Sequence, residues 1–157
     1  MSRIDDLLTP AGIAVLRQLN PGFSGRMTGN NCPATAAALA HYLETGEVVP
    51  AQSITTGQGF VQTDSGRFIV TPLAGIVRQL GNRLQHGSYR VVYAEAGERH
   101  HEFVLVNIQG IVHYADAQPV PPVVSRELTG PHGYISWARV FQCHRGPGYA
   151  VRRVSAA

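Results

Sequence analysis

In 101-HEFVLVNIQGIVHYADAQ-118, two strand-like runs meet across a short turn, and they form the centre of the predicted sheet. Val, Ile, Phe and Tyr are frequent in 101–107 and in 111–117, and these residue types favour extended strands. The Gln109-Gly110 pair between them is short enough for a tight turn, so the two runs are expected to form an antiparallel hairpin. A third run, 89-YRVVYAE-95, precedes them and extends the predicted sheet.

The register of this hairpin places a histidine and an aspartate on one face. If Gln109-Gly110 forms a two-residue turn, His101 lies opposite Gln118, and both share their face with Asp116 because side chains alternate along a strand. A register shifted by two residues would put His101 directly opposite Asp116. Both registers bring the two side chains within reach of each other.

The same alternation predicts on which face of the sheet the other histidines near the hairpin lie. His100 and His113 are expected on the opposite face from His101. A three-residue loop with a one-residue shift would instead separate His101 from Asp116, and the residues of the turn do not exclude it.

Helical patterns precede the strands. Apolar residues recur at helical spacing in three segments. The segments are 4–19, with a break near Thr9-Pro10, then 33–43, which Pro33 begins, and 72–85. Residues 47–71 have no clear pattern, and 133-GYISWARVFQCH-144 predicts a late strand. Helices early and strands late predict an α+β domain with an antiparallel sheet.

Length and composition limit the classes of protein to which the chain can belong. The 157 residues, 44% of them apolar, fit one globular domain over 1–157, and no apolar run approaches the roughly 18–20 residues that span a bilayer. All thirteen basic residues are arginines spread along the chain, without the dense patch of a nucleic-acid binder. We therefore expect neither a membrane nor a nucleic acid as partner. The acidic N-terminal segment predicts no signal peptide, so export would need another route, or the chain is a piece of a larger protein.

Cys32 is the first candidate for chemistry. Only two cysteines are present, Cys32 and Cys143, which predicts free thiols rather than a disulfide framework. Cys32 directly precedes Pro33, at the expected start of a helix, where unpaired backbone N–H groups and the helix dipole favour a thiolate. A small buried core residue, a metal ligand and a nucleophile are the three interpretations of such a cysteine.

Metal and cofactor motifs are absent from the sequence. The segment 100-HHEFVL-105 lacks the second histidine of HExxH, Cys143-His144 are adjacent rather than spaced, and no CxxC pair occurs. No glycine-rich phosphate-binding loop occurs either. We expect no metal and no cofactor.

A nucleophilic cysteine needs a base, and the base needs an orienting partner. The candidate set is Cys32, His101 and Asp116, with His101 to take or share the thiol proton and Asp116 to hold the imidazole tautomer. Taken singly, each has an ordinary alternative: a buried cysteine, a half-buried histidine and a turn aspartate.

Four segments resemble the papain-fold toxin family of bacterial polymorphic toxin systems, often called Tox-PL, which includes protein-glutamine deamidases. They are 20-NPGF-23, 30-NNCPATAAALAHYLETG-46, 101-HEFVLVN-107 and 112-VHYADAQ-118. Their order and spacing are similar to the family's, and they span roughly three-fifths of the chain, from 20 to 118.

The resemblance implies a papain-like fold, with the nucleophile helix packed on an antiparallel sheet, and a role for each site residue. Cys32 would be the nucleophile, His101 the base and Asp116 the acid, with Gln118 shaping the site. The backbone N–H of Cys32, helped by Asn30 or Asn31, would stabilise an oxyanion.

The sequence also departs from the family in two places. Ala34-Thr35 stand where members often have a second cysteine, which argues that the second thiol is dispensable. His100 stands where a glycine commonly precedes the histidine, so an exchange of roles between His100 and His101 stays open.

The family further implies a biological setting. It would be a toxin or effector delivered by a specialised secretion system to the target-cell cytoplasm, where it deamidates a glutamine on a target protein, while a cognate immunity protein blocks the cleft in producing cells. A cysteine protease or an acyltransferase of the same fold is the alternative chemistry. A non-catalytic papain-like binding module is the alternative from a different class.

Overall fold

The chain folds into helices and an antiparallel sheet, as its pattern predicts. A computed structural model describes residues 3–20, 32–51, 59–62, 68–82, 86–143 and 151–154. The helices are α1 (Arg3–Asp6), α2 (Pro10–Leu19), α3 (Cys32–Thr45) and α4 (Leu73–Leu80), with a 3-10 helix at Gly133–Ser136. The strands are β1 (Gly59–Gln62), β2 (Phe68–Val70), β3 (Tyr89–Ala96), β4 (Arg99–Ile108), β5 (Ile111–Asp116), β6 (Val123–Ser125), β7 (Arg139–Cys143) and β8 (Val151–Val154).

The main sheet has six antiparallel strands in the order β2-β7-β3-β4-β5-β6. Strands β1 and β8 form a separate antiparallel pair. Strand β7 comes late in sequence, yet it lies between β2 and β3. The C-terminal third of the chain therefore contributes to the interior of the sheet and not only to its edge.

The β4–β5 hairpin has the two-residue register, one of the alternatives that the sequence left open. Leu105 pairs with Tyr114 and Ile108 with Ile111. Gln109 and Gly110 both have positive φ, at 55° and 89°, which is the signature of a type I′ turn whose twist matches the paired strands. The register with a three-residue loop is thereby excluded.

Local sequence signals account for the helix ends. Thr9 caps α2, since its hydroxyl accepts a hydrogen bond from the Gly12 N–H at 3.4 Å, and Pro10 occupies the first helical position. The interruption predicted near Thr9-Pro10 is therefore confirmed.

The α4 helix is shorter than predicted: it ends at Leu80, where Asn107 on β4 donates to the Leu80 carbonyl oxygen at 2.5 Å.

The predicted strand at 133–144 is correct only in its second half. The strand begins at Arg139, whereas 133–136 form the 3-10 helix, in which the Ile135 N–H donates to the His132 carbonyl at 3.0 Å. Ile135 is fully buried, and its side chain anchors this turn against the sheet.

Each face of the sheet covers its own hydrophobic core. The first core contains α1, α2 and α3 packed on side chains of β3, β4 and β5 that include Val91, Val104, Val106 and Ala115. The second lies on the other face, under α4 and the 3-10 helix, and includes Ile76, Leu80, Val92, Phe103, Leu105, Tyr114 and Ile135. The alternation of side chains along each strand sends neighbouring residues to different cores.

The α3 helix is buried along most of its length. Its core residues are largely alanines (Ala34, Ala36, Ala37, Ala38, Ala40), which are small enough for close approach of the helix to the sheet. A helix that is apolar on all sides belongs inside a protein. Within the described ranges, no helix is long and apolar enough to cross a membrane.

Candidate active site

His101 and Asp116 form a buried ion pair on the face of the hairpin that carries the second core. The Nε2 atom of His101 lies 2.5 Å from Oδ2 of Asp116, and each residue is only 3% exposed. His101 shares its strand face with Phe103, and Asp116 shares its own with Tyr114. The sequence prediction that His101 and Asp116 come together is confirmed.

Asp116 is held by two donors besides His101. The hydroxyl of Tyr114 donates to Oδ2 at 2.7 Å, and the backbone N–H of Gln118 donates to Oδ1 at 2.9 Å. Burial and the charge of Asp116 raise the pKa of Tyr114, so its phenol remains a proton donor. The carboxylate is therefore fixed in orientation by two strands and by the chain that follows.

The pKa of His101 reflects competing effects. Burial lowers it, but hydrogen bonds to Asp116 and Cys32 and the negative charges of these two residues outweigh burial and raise the pKa from 6.5 to about 9. The imidazole is consequently protonated at neutral pH. A cation is stable in this interior because negative partners lie within hydrogen-bonding reach.

Cys32 begins α3 and is buried, with 3% exposure. It lies close enough to His101 for a hydrogen bond and a charge interaction with its sulphur to raise the pKa of that imidazole. Because Asp116 engages Nε2, Nδ1 is the ring nitrogen that remains for the sulphur. A thiol at the N-terminus of a helix and beside an imidazolium has two sources of positive potential.

Aromatic rings surround the His101 imidazole. Phe103 stacks on it, with ring centroids 5.9 Å apart and an interplanar angle of 16°, and His132 lies at 4.4 Å with a tilt of 47°. Burial and then the charge of Cys32 raise the pKa of Tyr134, which places that phenol within electrostatic reach of the thiol. Tyr134 in turn lies edge-on to Trp137, which is 66% exposed.

Other residues singled out from the sequence occupy different positions. Gln118 is buried beside Asp116, and its backbone carbonyl accepts a hydrogen bond from Asn20 at 3.2 Å. Asn30 and Asn31 lie outside the described residues. His100 is exposed and contacts Tyr93 at 6.3 Å between ring centroids, so the structure places His101, not His100, beside Asp116.

The site also offers a possible ligand set for a metal ion. Among the described residues, His101, Asp116 and His132 each present a donor atom, and these atoms lie within 4.8 Å of one another. Asp116 Oδ2, however, already accepts hydrogen bonds from two donors, at 2.5 and 2.7 Å. An ion would have to displace the proton between His101 and Asp116, so the arrangement fits a shared proton better than a metal.

Two contributors to the site were not predicted from the sequence. Tyr114 was accessible to prediction, because strand alternation puts it on the same face as Asp116, two residues away. His132 had no such signal. It precedes the 3-10 helix, and its contact with His101 depends on the packing of a segment about thirty residues away in sequence.

Comparison with known proteins identifies no relative. No protein-family model matches the chain, and neither a curated protein nor a solved structure matches it.

Proposed function

We propose that the chain is a cysteine-dependent amidohydrolase that converts a glutamine side chain on a target protein to glutamate. One observation carries the proposal: a buried imidazole interacts with a helix-terminal thiol and also with a fixed carboxylate. Nucleophile, base and orienting acid are the three parts that acyl transfer by a cysteine requires.

In the first half-reaction, the Cys32 sulphur attacks the carboxamide carbon of the substrate. The C=O electrons move onto oxygen, and the backbone N–H of Cys32 is the proposed donor to this oxyanion, with Asn30 or Asn31 as proposed helpers. His101 then gives its proton to the nitrogen, the C–N bond breaks and ammonia leaves. The product is a thioester on Cys32.

In the second half-reaction, water replaces the amine. The now neutral His101 accepts a proton from water as the water oxygen attacks the thioester carbon. The C–S bond breaks, the thiolate re-forms beside the imidazolium, and glutamate is released. The hydrogen bond to Asp116 keeps a proton on Nε2, so that Nδ1 does the proton transfer.

The papain-like fold is part of the same proposal. It rests on the resemblance of 20–23, 30–46, 101–107 and 112–118 to the papain-fold toxin family, and it agrees with a helix that begins at the thiol and packs on an antiparallel sheet. The choice of glutamine as substrate rests on that resemblance. The same residues would cleave a peptide bond or transfer the acyl group to an amine if the cleft admitted those reactants.

The setting proposed for this activity is delivery by a specialised secretion system into a target cell. The proposed partners are a protein substrate in the target-cell cytoplasm and an immunity protein in the producing cell.

The test is expression of the chain in recipient cells, followed by mass analysis of their proteins. We expect growth arrest and a gain of about one dalton at a glutamine of a few proteins, since an NH₂ group is replaced by OH. Cleaved fragments would indicate a protease, and a larger mass increment a transferase.

Two variants make this test specific. Cys32→Ala is expected to abolish growth arrest and the mass change while leaving the thermal unfolding midpoint close to that of the parent. Cys143→Ala, which removes the other thiol, is expected to keep both effects. A fully active Cys32→Ala protein would contradict the proposal and favour a binding module.

A further inference from the structure

His132 is brought onto His101 by a turn that is built against the site. The His132 N–H donates to the Thr129 carbonyl at 3.1 Å, which closes the turn, and the imidazole of His132 lies 4.4 Å from that of His101. On its far side the turn leads into the 3-10 helix, which Ile135 anchors in the second core.

A glycine lets the turn pack directly on the residue that supports Asp116. Gly130 has a φ of +53°, and a Cβ at this position would lie 2.5 Å from Cε1 of Tyr114. Tyr114 donates to Asp116, and Asp116 pairs with His101. The turn is thus packed against one end of the chain of contacts Tyr114–Asp116–His101, and His132 covers the other end.

The electrostatic surroundings of His132 disfavour its protonation. Burial and then the charge of His101 lower its pKa below the usual 6.5, and the charge of Asp116 opposes this only in part. Besides these two residues, its ring lies 6.0 Å from the ring of Tyr134, and the Arg99 guanidinium lies 5.9 Å from the centroid of that Tyr134 ring. A proton on His132 would therefore put a second imidazolium beside the first.

We propose that His132 is a positioning residue that holds the His101 ring in place. Its protonation sets the acid limit of Cys32 reactivity, which is the pH below which the thiol reacts more slowly. While neutral, it covers the His101 imidazole and keeps water from the His101–Asp116 hydrogen bond. Once protonated in acid, it repels the His101 imidazolium, which disturbs the contact between His101 and the sulphur. This role rests on the proposed function of Cys32 as nucleophile.

The test needs no substrate. The rate of Cys32 alkylation by iodoacetamide is measured from about pH 5 to about pH 9 in the full chain carrying Cys143→Ser, so that Cys32 is the thiol that reacts. His132→Phe keeps a ring but cannot take a proton, and His132→Gln is a second neutral replacement. Both are expected to move the acid limb of the profile to lower pH by about one unit, since a like charge at this distance is removed.

Matched variants distinguish a positioning role of His132 from a general loss of structure. His132→Ala, which uncovers the ring, is expected to lower the plateau rate severalfold, whereas His132→Phe retains it within about twofold. His100→Phe, on the neighbouring position of the same strand, is expected to change neither plateau nor acid limb.

Each outcome points to one cause. An acid limb that stays in place in both His132→Phe and His132→Gln would overturn the role of His132. If Cys32 of the parent chain reacts no faster than a free thiol, the proposed function itself is contradicted.

Discussion

Two histidine–carboxylate pairs in this chain have the same chemistry in opposite surroundings. His41 and Glu47, at the end of α3, lie 2.9 Å apart with side chains 20% and 51% exposed. His101 and Asp116 lie 2.5 Å apart with side chains 4% and 3% exposed. Only the second pair adjoins a thiol.

The surroundings of a histidine–carboxylate pair, more than the pair itself, determine whether it can form part of a reactive site. Water competes for both members of an exposed pair and screens their charges, so such pairs contribute little. In the interior, Tyr114 and the Gln118 backbone N–H fix the carboxylate, and the imidazole keeps its proton to about pH 9. Breaking the buried pair leaves an uncompensated charge in a place that water does not reach.

Asp116→Asn is expected to have the largest effect of any single change. It leaves the shape but removes the negative charge that opposes the effect of burial, so the pKa of His101 is expected to fall. Alkylation of Cys32 at neutral pH should slow about a hundredfold or more, and the free energy of unfolding should drop by about 3 kcal/mol. The measurements are alkylation rates and urea unfolding, and parent-like values in both would contradict the importance of the buried pair.

Stability should fall as the pH rises from neutral to alkaline. The pKa of His101 is about 9 in the folded chain against 6.5 in the unfolded chain, so the folded state binds the proton more tightly. This stabilisation is fully present below pH 6.5 and is lost as the pH rises through 9, with a total of about 3 kcal/mol. Urea unfolding over this range measures it, and the slope should largely vanish in Asp116→Asn. A pH-independent stability would contradict the raised pKa.

Gly130→Ala should be the next most damaging change. The added Cβ would meet the Tyr114 ring at 2.5 Å, and φ is +53°, so we expect a loss of about 2 kcal/mol. Gly97→Ala is the matched control: its φ is +62° with no atom within 4 Å, so it bears the backbone strain alone and should cost about 1 kcal/mol. Equal losses in thermal or urea unfolding would show that the contact with Tyr114 is unimportant.

Glu47→Gln should have the smallest effect. The exposed pair with His41 contributes little, so the free energy of unfolding is expected to change by less than about 0.5 kcal/mol. A loss comparable to that of Asp116→Asn would mean that burial does not distinguish the two pairs.

The His101–Asp116 pair was predictable because it depends on local rules. A two-residue turn fixes the register of the hairpin, and alternation then assigns each side chain to a face. The start of α3 at Cys32 follows in the same way from Pro33, which suits the first turn of a helix.

The features that the sequence did not predict depend on contacts between distant segments. Nothing local places β7 between β2 and β3, and nothing local brings His132 to His101. Residues 133–136 resemble a strand in composition but form a 3-10 helix, because tertiary packing of Ile135 overrides their weak local preference. A sequence pattern indicates which face a residue occupies more readily than which distant segment covers it.

The most direct test of the site is an NMR titration of the His101 ring in the intact chain. The geometry predicts a midpoint of about 9, with both ring nitrogens protonated at neutral pH, and a lower midpoint in Cys32→Ala because one hydrogen bond and one negative charge are removed. A midpoint below 6.5 would mean that burial dominates and that His101 is neutral beside the thiol. That result would contradict the proposed pairing of Cys32, His101 and Asp116.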